Sequence, residues 1–376
     1  MKQEKRHKYY DFSLFFVIIF LLCFGLIMLY SASSATASLD YGDSTYYLKS
    51  QIKSTIIGLV AMIVVSFVDY KIYKRLAEVA YIASAVVVLL IYSPLGKGSH
   101  GATRWLSLGG FTIQPVELVK IGVIVVVAAL VSKTYKQANK LRYIVVIMGV
   151  VLPLVALVAV VTSNMSSALI VLIIAGIMVF VASPKYLQFV AIIASGFAAL
   201  LLVILVTGNY WLKRIQTWIS SLSDISSGQY QIIQGIYAIA SGGLFGKGLG
   251  QSIQKSFVPE SHNDMIFSII CEELGIVGAF AVIFIYAFLL WRMMVIADNA
   301  EDMFGSFLVI GVMAQVGVQV MLNIAVVTNT IPATGISLPF ISYGGSSVVT
   351  LLIEMGIVLS VSRSINAEVE KDEEKK

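Results

Sequence analysis

The sequence predicts an all-α polytopic membrane protein: a bundle of about ten transmembrane helices with a large extracellular loop between helices 7 and 8. Three observations predict it. Hydrophobic residues make up 58% of the chain and charged residues 12%, with a mean hydropathy of +0.90, which leaves too little polar surface for a water-soluble protein of this length. The apolar residues fall in runs of bilayer length, about 20 residues each. Helix breakers and ionisable residues gather between those runs.

Ten runs qualify as spans: 12–31, 50–68, 75–93, 115–132, 143–162, 166–183, 186–207, 265–290, 304–326 and 345–362. Lipid offers no partner to an unpaired backbone group, so each run is expected as a helix. Span 1 follows the basic MKQEKRHK and precedes SASSATAS, a pattern resembling a cleaved leader. Its length and the nine runs behind it predict an uncleaved helix instead. A polar loop at 32–49 leads into spans 2 and 3. Residues 94–114 form a breaker-rich loop that ends at Pro115, and proline suits the first position of a helix. Only Thr162 to Met165 separate spans 5 and 6, which predicts a tight hairpin. Residues 208–264 are the largest non-spanning region. Residues 328–346 carry two prolines yet stay half apolar, which suits a re-entrant or cavity-lining segment covered by protein. One membrane domain over 1–376 is expected, with tails at about 1–11 and 363–376.

Lysine and arginine set the orientation. With the N-terminus inside, segments 1–11, 69–75, 133–142, 183–186, 291–303 and 363–376 hold 17 of the 26 basic residues. The positive-inside rule therefore places both termini in the cytoplasm of a multi-pass protein. The net charge of +5 then reports topology and attraction to anionic lipid, with no nucleic-acid role. Cys23 and Cys271 lie in apolar helix without metal-ligand spacing, so both are expected to pack.

The chemistry-bearing residues face outward on this topology. The stretch SGGLFGKGLGQSIQKSFVPESHNDMIFSIICEELG at 241–275 joins a glycine-punctuated loop to an apolar helix, and ionisable groups at a membrane boundary read by default as a functional site. Asp264 is expected at the N-terminal end of span 8, where the helix dipole favours a carboxylate and an ordinary N-cap is the bland reading. Glu272, eight residues on, is expected about 12 Å further along the axis, joining Glu273 in an intramembrane polar network. Glu117 and Lys120 stand one helical turn apart, the spacing of a charge-neutralising pair. Arg104 can grip phosphate, and Trp105 can stack on a sugar or anchor at the headgroups. Lys247, Gln251 and Lys255 add donors to a loop whose glycines could bind an anion or simply confer flexibility. Gly344 and Gly345 are expected to adopt a conformation closed to residues with a Cβ.

Four segments carry a family resemblance: RWLSLGGFTIQPVELVK at 104–120, SGGLFGKGLGQSIQK at 241–255, VPESHNDMIFSIICEELG at 258–275 and TGISLPFISYGGSS at 334–347. Together they resemble the SEDS family of FtsW, RodA and SpoVE over nearly the whole chain. FSIICEELG and ISYGGSS look closest to the FtsW/SpoVE branch. The resemblance implies a peptidoglycan glycosyltransferase of the bacterial cytoplasmic membrane, polymerising lipid II into glycan strands at the outer face during cell division or sporulation by inverting transfer. Asp264 in HNDMIF matches the family's essential acid, and the resemblance implies that Glu117 and Lys120 line the outward cavity and extends the substrate-binding set to His262, Ser342, Gly344 and Gly345. Val116, Ile253 and Asn164 depart from the family pattern. The motifs specify no cofactor with certainty, and a divalent cation, Mg or Mn, bridging Asp264 to pyrophosphate is compatible with them. Implied partners are lipid II itself, a class B penicillin-binding protein transpeptidase and other divisome membrane proteins. A lipid II flippase and a non-catalytic divisome scaffold are the competing readings. The outward clustering of polar residues, away from the midplane, speaks against the first.

Overall fold

The computed structural model describes residues 10–99, 102–109, 111–135, 141–183, 190, 196, 215–221 and 229–365. Among these, eight helices are long and apolar enough to cross a membrane. They are α1 (Phe12–Tyr41), α2 (Tyr46–Phe67), α5 (Pro115–Thr134), α6 (Leu141–Val161), α7 (Met165–Ala182), α9 (Ile266–Asp298), α10 (Met303–Val327) and α11 (Gly345–Ser364). The expected third span is shorter: α3 (Lys71–Arg75) and α4 (Ala77–Leu89), the latter extended by a 3-10 turn at Leu90–Tyr92. The expected seventh span, 186–207, lies outside the described residues apart from isolated positions. So do the loop around Lys136 and the tails at 1–9 and 366–376.

Three expectations need correction. First, α1 continues to Tyr41, so the polar loop foreseen at 32–49 shrinks to residues 42–45. Its SASSATAS stretch is helical because small residues permit close packing, and Ser31, Ala32, Ser33 and Ala37 are buried. Second, the loop expected before Pro115 is ordered as a small sheet within the mostly helical bundle. Residues 94–114 hold a three-stranded antiparallel sheet, β1 (Gly96–Ser99), β2 (Ala102–Leu108) and β3 (Phe111–Ile113), in the order β1-β2-β3. Third, the region 208–264 contains the helix α8 (Tyr230–Gly242).

Local chemistry explains the helix ends. The Asp11 carboxylate accepts from Leu14 N at 2.8 Å to cap α1, and pairs with Arg292 on α9 at 2.5 Å. Pro115 is at the first turn of α5, as expected. Asn164 caps α7 through Ser167 N at 3.1 Å, closing the foreseen hairpin. In the core, α10 is buried along most of its length and packs against α5, α7, α9 and α11. Helix α11 lies along α2, where a Cβ at Gly356 would meet the Met62 carbonyl at 2.7 Å. Asp11 N donates to Ser362 Oγ at 3.3 Å, so the start of α1 and the end of α11 share one end of the bundle. The Asp264 region lies at the other, where α9 begins.

Candidate functional site

Helix α9 is broken at Gly275, whose φ of 70° and ψ of −170° interrupt the helical path. The glycine-rich loop fits into the break. Ile276 N and Val277 N donate to the carbonyls of Gly243 and Leu244, at 3.0 and 3.1 Å. In return, Lys247 N and Gly248 N donate to the carbonyls of Glu272 and Glu273, at 3.0 and 2.9 Å. The loop thus satisfies backbone groups that the break frees, which membrane burial demands.

Lys247 is correspondingly not a free substrate clamp. Its Nζ lies 2.7 Å from Glu272 Oε1 and 2.9 Å from Ser241 Oγ. Glu272, fully buried, also accepts from Ser252 Oγ and from Ile253 N at 3.2 Å. Glu273 accepts from Ser31 Oγ on α1 at 2.6 Å. The two glutamates form the polar network expected, with the added role of holding the loop. Lys255 bonds the Gly250 carbonyl at 2.8 Å and, with Gln251, stays on the surface. Ser261 Oγ donates to the Ala32 carbonyl at 3.2 Å, beside the Ser31 that meets Glu273, so the segment 261–273 is tied to α1 at both ends.

Asp264 precedes α9 and does not cap it, because Met265 occupies the N-cap. Its Oδ1 accepts from Gln231 Nε2 on α8 at 3.0 Å. Its backbone carbonyl accepts from Asn323 Nδ2 on α10 at 2.7 Å, and the same amide bonds the Ile336 carbonyl at 2.7 Å. Burial, with the nearby Glu260 carboxylate adding to it, pushes Asp264 up to about 6, near the range useful to a general base. His262 is buried with its ring 4.2 Å from Tyr47 and 5.7 Å from Tyr343. Burial pushes it below its usual value, and its Nδ1 has no hydrogen-bond partner among the described residues.

The 334–347 segment closes over this turn. Ser342 Oγ donates to the Asn263 carbonyl and accepts from Leu338 N, both at 2.7 Å, and Tyr343 N donates to the His262 carbonyl at 2.9 Å. Ser342 and His262 therefore hold the turn that carries Asp264. Gly344 donates its N–H to Gln51 Oε1 at 3.2 Å, and its φ of 168° is ordinary extended backbone. Gly345 begins α11, where a Cβ would meet Ser54 Oγ at 2.7 Å. The constraint on this glycine pair is thus close packing at Gly345, not the special backbone conformation expected.

Glu117 and Lys120 are both buried and paired at 2.8 Å. Glu117, Gln315, Gln319, Ser342, Tyr343 and Leu351 line one small cavity, so Glu117 and Ser342 share one space. Beside it, Gln315 Nε2 donates to Glu354 Oε2 at 2.7 Å. Glu354, inside the tenth apolar run, and Gln231, in the region taken as loop, were not foreseen. Arg104 and Trp105 stand apart on β2. Arg104 Nη2 donates to the Ser163 carbonyl at 3.2 Å, tying the sheet to the α6–α7 hairpin, and Trp105 pairs in register with Lys97. Neither bonds Asp264 directly.

A family model described as a cell cycle protein, covering FtsW, RodA and SpoVE, matches residues 12–367. The chain belongs to that family. Stage V sporulation protein E of Bacillus subtilis is 37% identical, covering 94% of this chain and 97% of the relative. The probable peptidoglycan glycosyltransferase FtsW of Trichlorobacter lovleyi is 36% identical over 95% and 94%. Among solved structures, a chain from work on the coordination of polymerization and crosslinking by a peptidoglycan synthase complex aligns at a TM-score of 0.79 and 27% identity, covering 96% and 99%. The Thermus thermophilus rod shape determining protein RodA aligns at 0.70 and 26%, covering 95% and 97%. As a family member with eight candidate spans, this is a multi-pass membrane protein.

Proposed function

We propose that this chain is a peptidoglycan glycosyltransferase that polymerises lipid II at the outer face of the cytoplasmic membrane, in division or sporulation. Both termini are cytoplasmic in this reading. The observation that carries it is the Asp264 carboxylate, held in a built turn at the end of the bundle opposite the ends of α1 and α11, with its pKa raised to about 6. The relatives named probable peptidoglycan glycosyltransferase FtsW support the activity.

Asp264 takes the proton of the attacking hydroxyl of one lipid II molecule. That oxygen bonds to the donor sugar's anomeric carbon, the bond from that carbon to the lipid-linked pyrophosphate breaks, and the electron pair leaves with the phosphate. Arg104, Lys255 and Gln251 are the groups available to accompany the pyrophosphate, and Trp105 a sugar. Lys120 is committed to Glu117 at rest. Among the described residues no three His, Cys, Asp or Glu side chains gather as a metal site. A Mg or Mn ion would therefore be held by Asp264 together with pyrophosphate oxygens and water, a donor set that fits magnesium, and it would offset the leaving group's charge. A single-span class B penicillin-binding protein is the proposed partner, and the peptidoglycan synthase complex among the structural neighbours supports it.

The test is polymerisation of labelled lipid II by the purified protein, with and without the transpeptidase. Asp264→Asn keeps the side-chain size but removes the base, and loses on the order of 10²- to 10⁴-fold in rate, while insertion and thermal stability hold. Parental polymerisation by Asp264→Asn would overturn the assignment in favour of a flippase or a scaffold.

A further inference from the structure

We propose that Gln231 is a positioning residue that divides the labour of the two Asp264 oxygens, fixing Oδ1 and leaving Oδ2 as the atom that takes the proton. The inference rests on the reading of Asp264 as general base.

Gln231, Gly235, Ala238 and Gly242 recur at i, i+4, i+7 and i+11 along α8, which places them on one face. That face lies on the first half of α9. A Cβ at Gly235 would meet Met265 Cε at 2.3 Å, and one at Gly242 would meet the Cys271 carbonyl at 2.0 Å, while Ala238 is fully buried. The small residues bring α8 close enough for the one long side chain of the stripe to reach Asp264.

The amide orientation follows from its two partners. Nε2 donates to Asp264 Oδ1 at 3.0 Å and to the Pro259 carbonyl at 3.3 Å. Both partners are acceptors, so a flipped amide would set its own oxygen against each of them. Gln231 thereby also joins the two ends of the turn 259–264. Asp264 Oδ2 faces Gly335, being the nearest atom, at 3.9 Å, to where a Cβ would stand there. No side chain among the described residues donates to Oδ2. Gly335 has φ of 69°, a conformation and a vacancy that keep the space beside Oδ2 clear. One oxygen is held and the other is open, as required of a base fixed in a near-attack geometry.

The test is steady-state polymerisation of labelled lipid II by the full chain with its transpeptidase. Gln231→Met keeps the length of the side chain and removes both donors. Hydrogen bonds to charged groups are worth enough to predict a roughly 10- to 100-fold fall in kcat, with KM within about twofold because no substrate contact is removed. In the Asp264→Asn background the same substitution adds little further loss, since the group it positions is gone. Should Gln231→Met fold poorly, Gln231→Leu likewise removes both donors without adding a charge and gives the same kcat loss. Parental kcat in the folded variant, a loss confined to KM, or an undiminished further loss in the Asp264→Asn background would each overturn the proposal. If instead Asp264→Asn alone polymerises at the parental rate, the base reading itself has failed.

Discussion

Gly275→Ala tests the insertion of the loop into the broken helix. Its φ and ψ lie in a region open essentially to glycine, where a side chain costs about 1–3 kcal/mol in strain. A Cβ there would lie 2.4 Å from both Gly246 N and Leu244 O. Those contacts are backbone, so no side-chain rotation relieves them, and the loop must withdraw. Withdrawal sacrifices the donations from Ile276 N and Val277 N, worth about 0.5–1.5 kcal/mol each in net terms. The total is roughly 2–6 kcal/mol, a large fraction of ordinary stability. Gly317→Ala is the control. Its nearest neighbour would be Leu290 Cδ1 at 3.6 Å, an ordinary contact within a helix, and alanine there gains up to about 1 kcal/mol in propensity. The assay is the apparent thermal midpoint in detergent, with limited proteolysis between residues 243 and 256. Gly275→Ala should fall well below the parent and expose the loop to cleavage, while Gly317→Ala matches or exceeds the parent. An unchanged midpoint and a protected loop in Gly275→Ala would refute the reasoning.

Two more predictions concern chemistry and topology. A base must be ionised, so kcat should rise with pH through about 6 instead of saturating near the ordinary aspartate value of about 4. Glu260 is the charged neighbour that contributes; a profile flat between pH 5 and 7 would contradict this. For topology, cysteines introduced at Lys136 and at Ser226, in a background lacking Cys23 and Cys271, should be labelled from opposite sides by an impermeant thiol reagent. External labelling at Lys136 would reverse the orientation and place Asp264 on the cytoplasmic side.

What the sequence disclosed and what it withheld divide along a physical line. Eight of the ten spans, the Pro115 helix start, the hairpin at Asn164 and the Glu117–Lys120 pair all rest on neighbours in the chain, so apolar run length and one-turn spacing are enough to place them. The break at Gly275 was invisible for the opposite reason. Residues 265–290 read as one apolar run, and the helix opens only because partners some thirty residues upstream supply its backbone hydrogen bonds. Arg104 was read for its charge, but its observed partner is a carbonyl 59 positions away. Lys247 likewise has the charge of a ligand donor, but its partner is Glu272, 25 positions away.

Gln231 shows where a usable signal did exist. A long amide followed by Gly235, Ala238 and Gly242 is a helix face with one reaching side chain and otherwise almost none, and its period of 3.6 residues is legible without a structure. What periodicity could not supply was the target. The same stripe would pack equally well on any helix, and only the fold sets it against Ile266–Leu274, with Asp264 at its far end. The broken helix extends the same dependence. The loop that follows α8 is the one that fills the gap at Gly275, so α8 meets α9 through its small face and again through the loop at its C-terminal end. A shift of that helix would be felt both at Oδ1 of Asp264 and at the Glu272–Lys247 pair. Chemistry at the turn and packing at the break are therefore set by one element, and a substitution that loosens Gly242 should lower kcat through the Gln231 contact without touching a reacting atom.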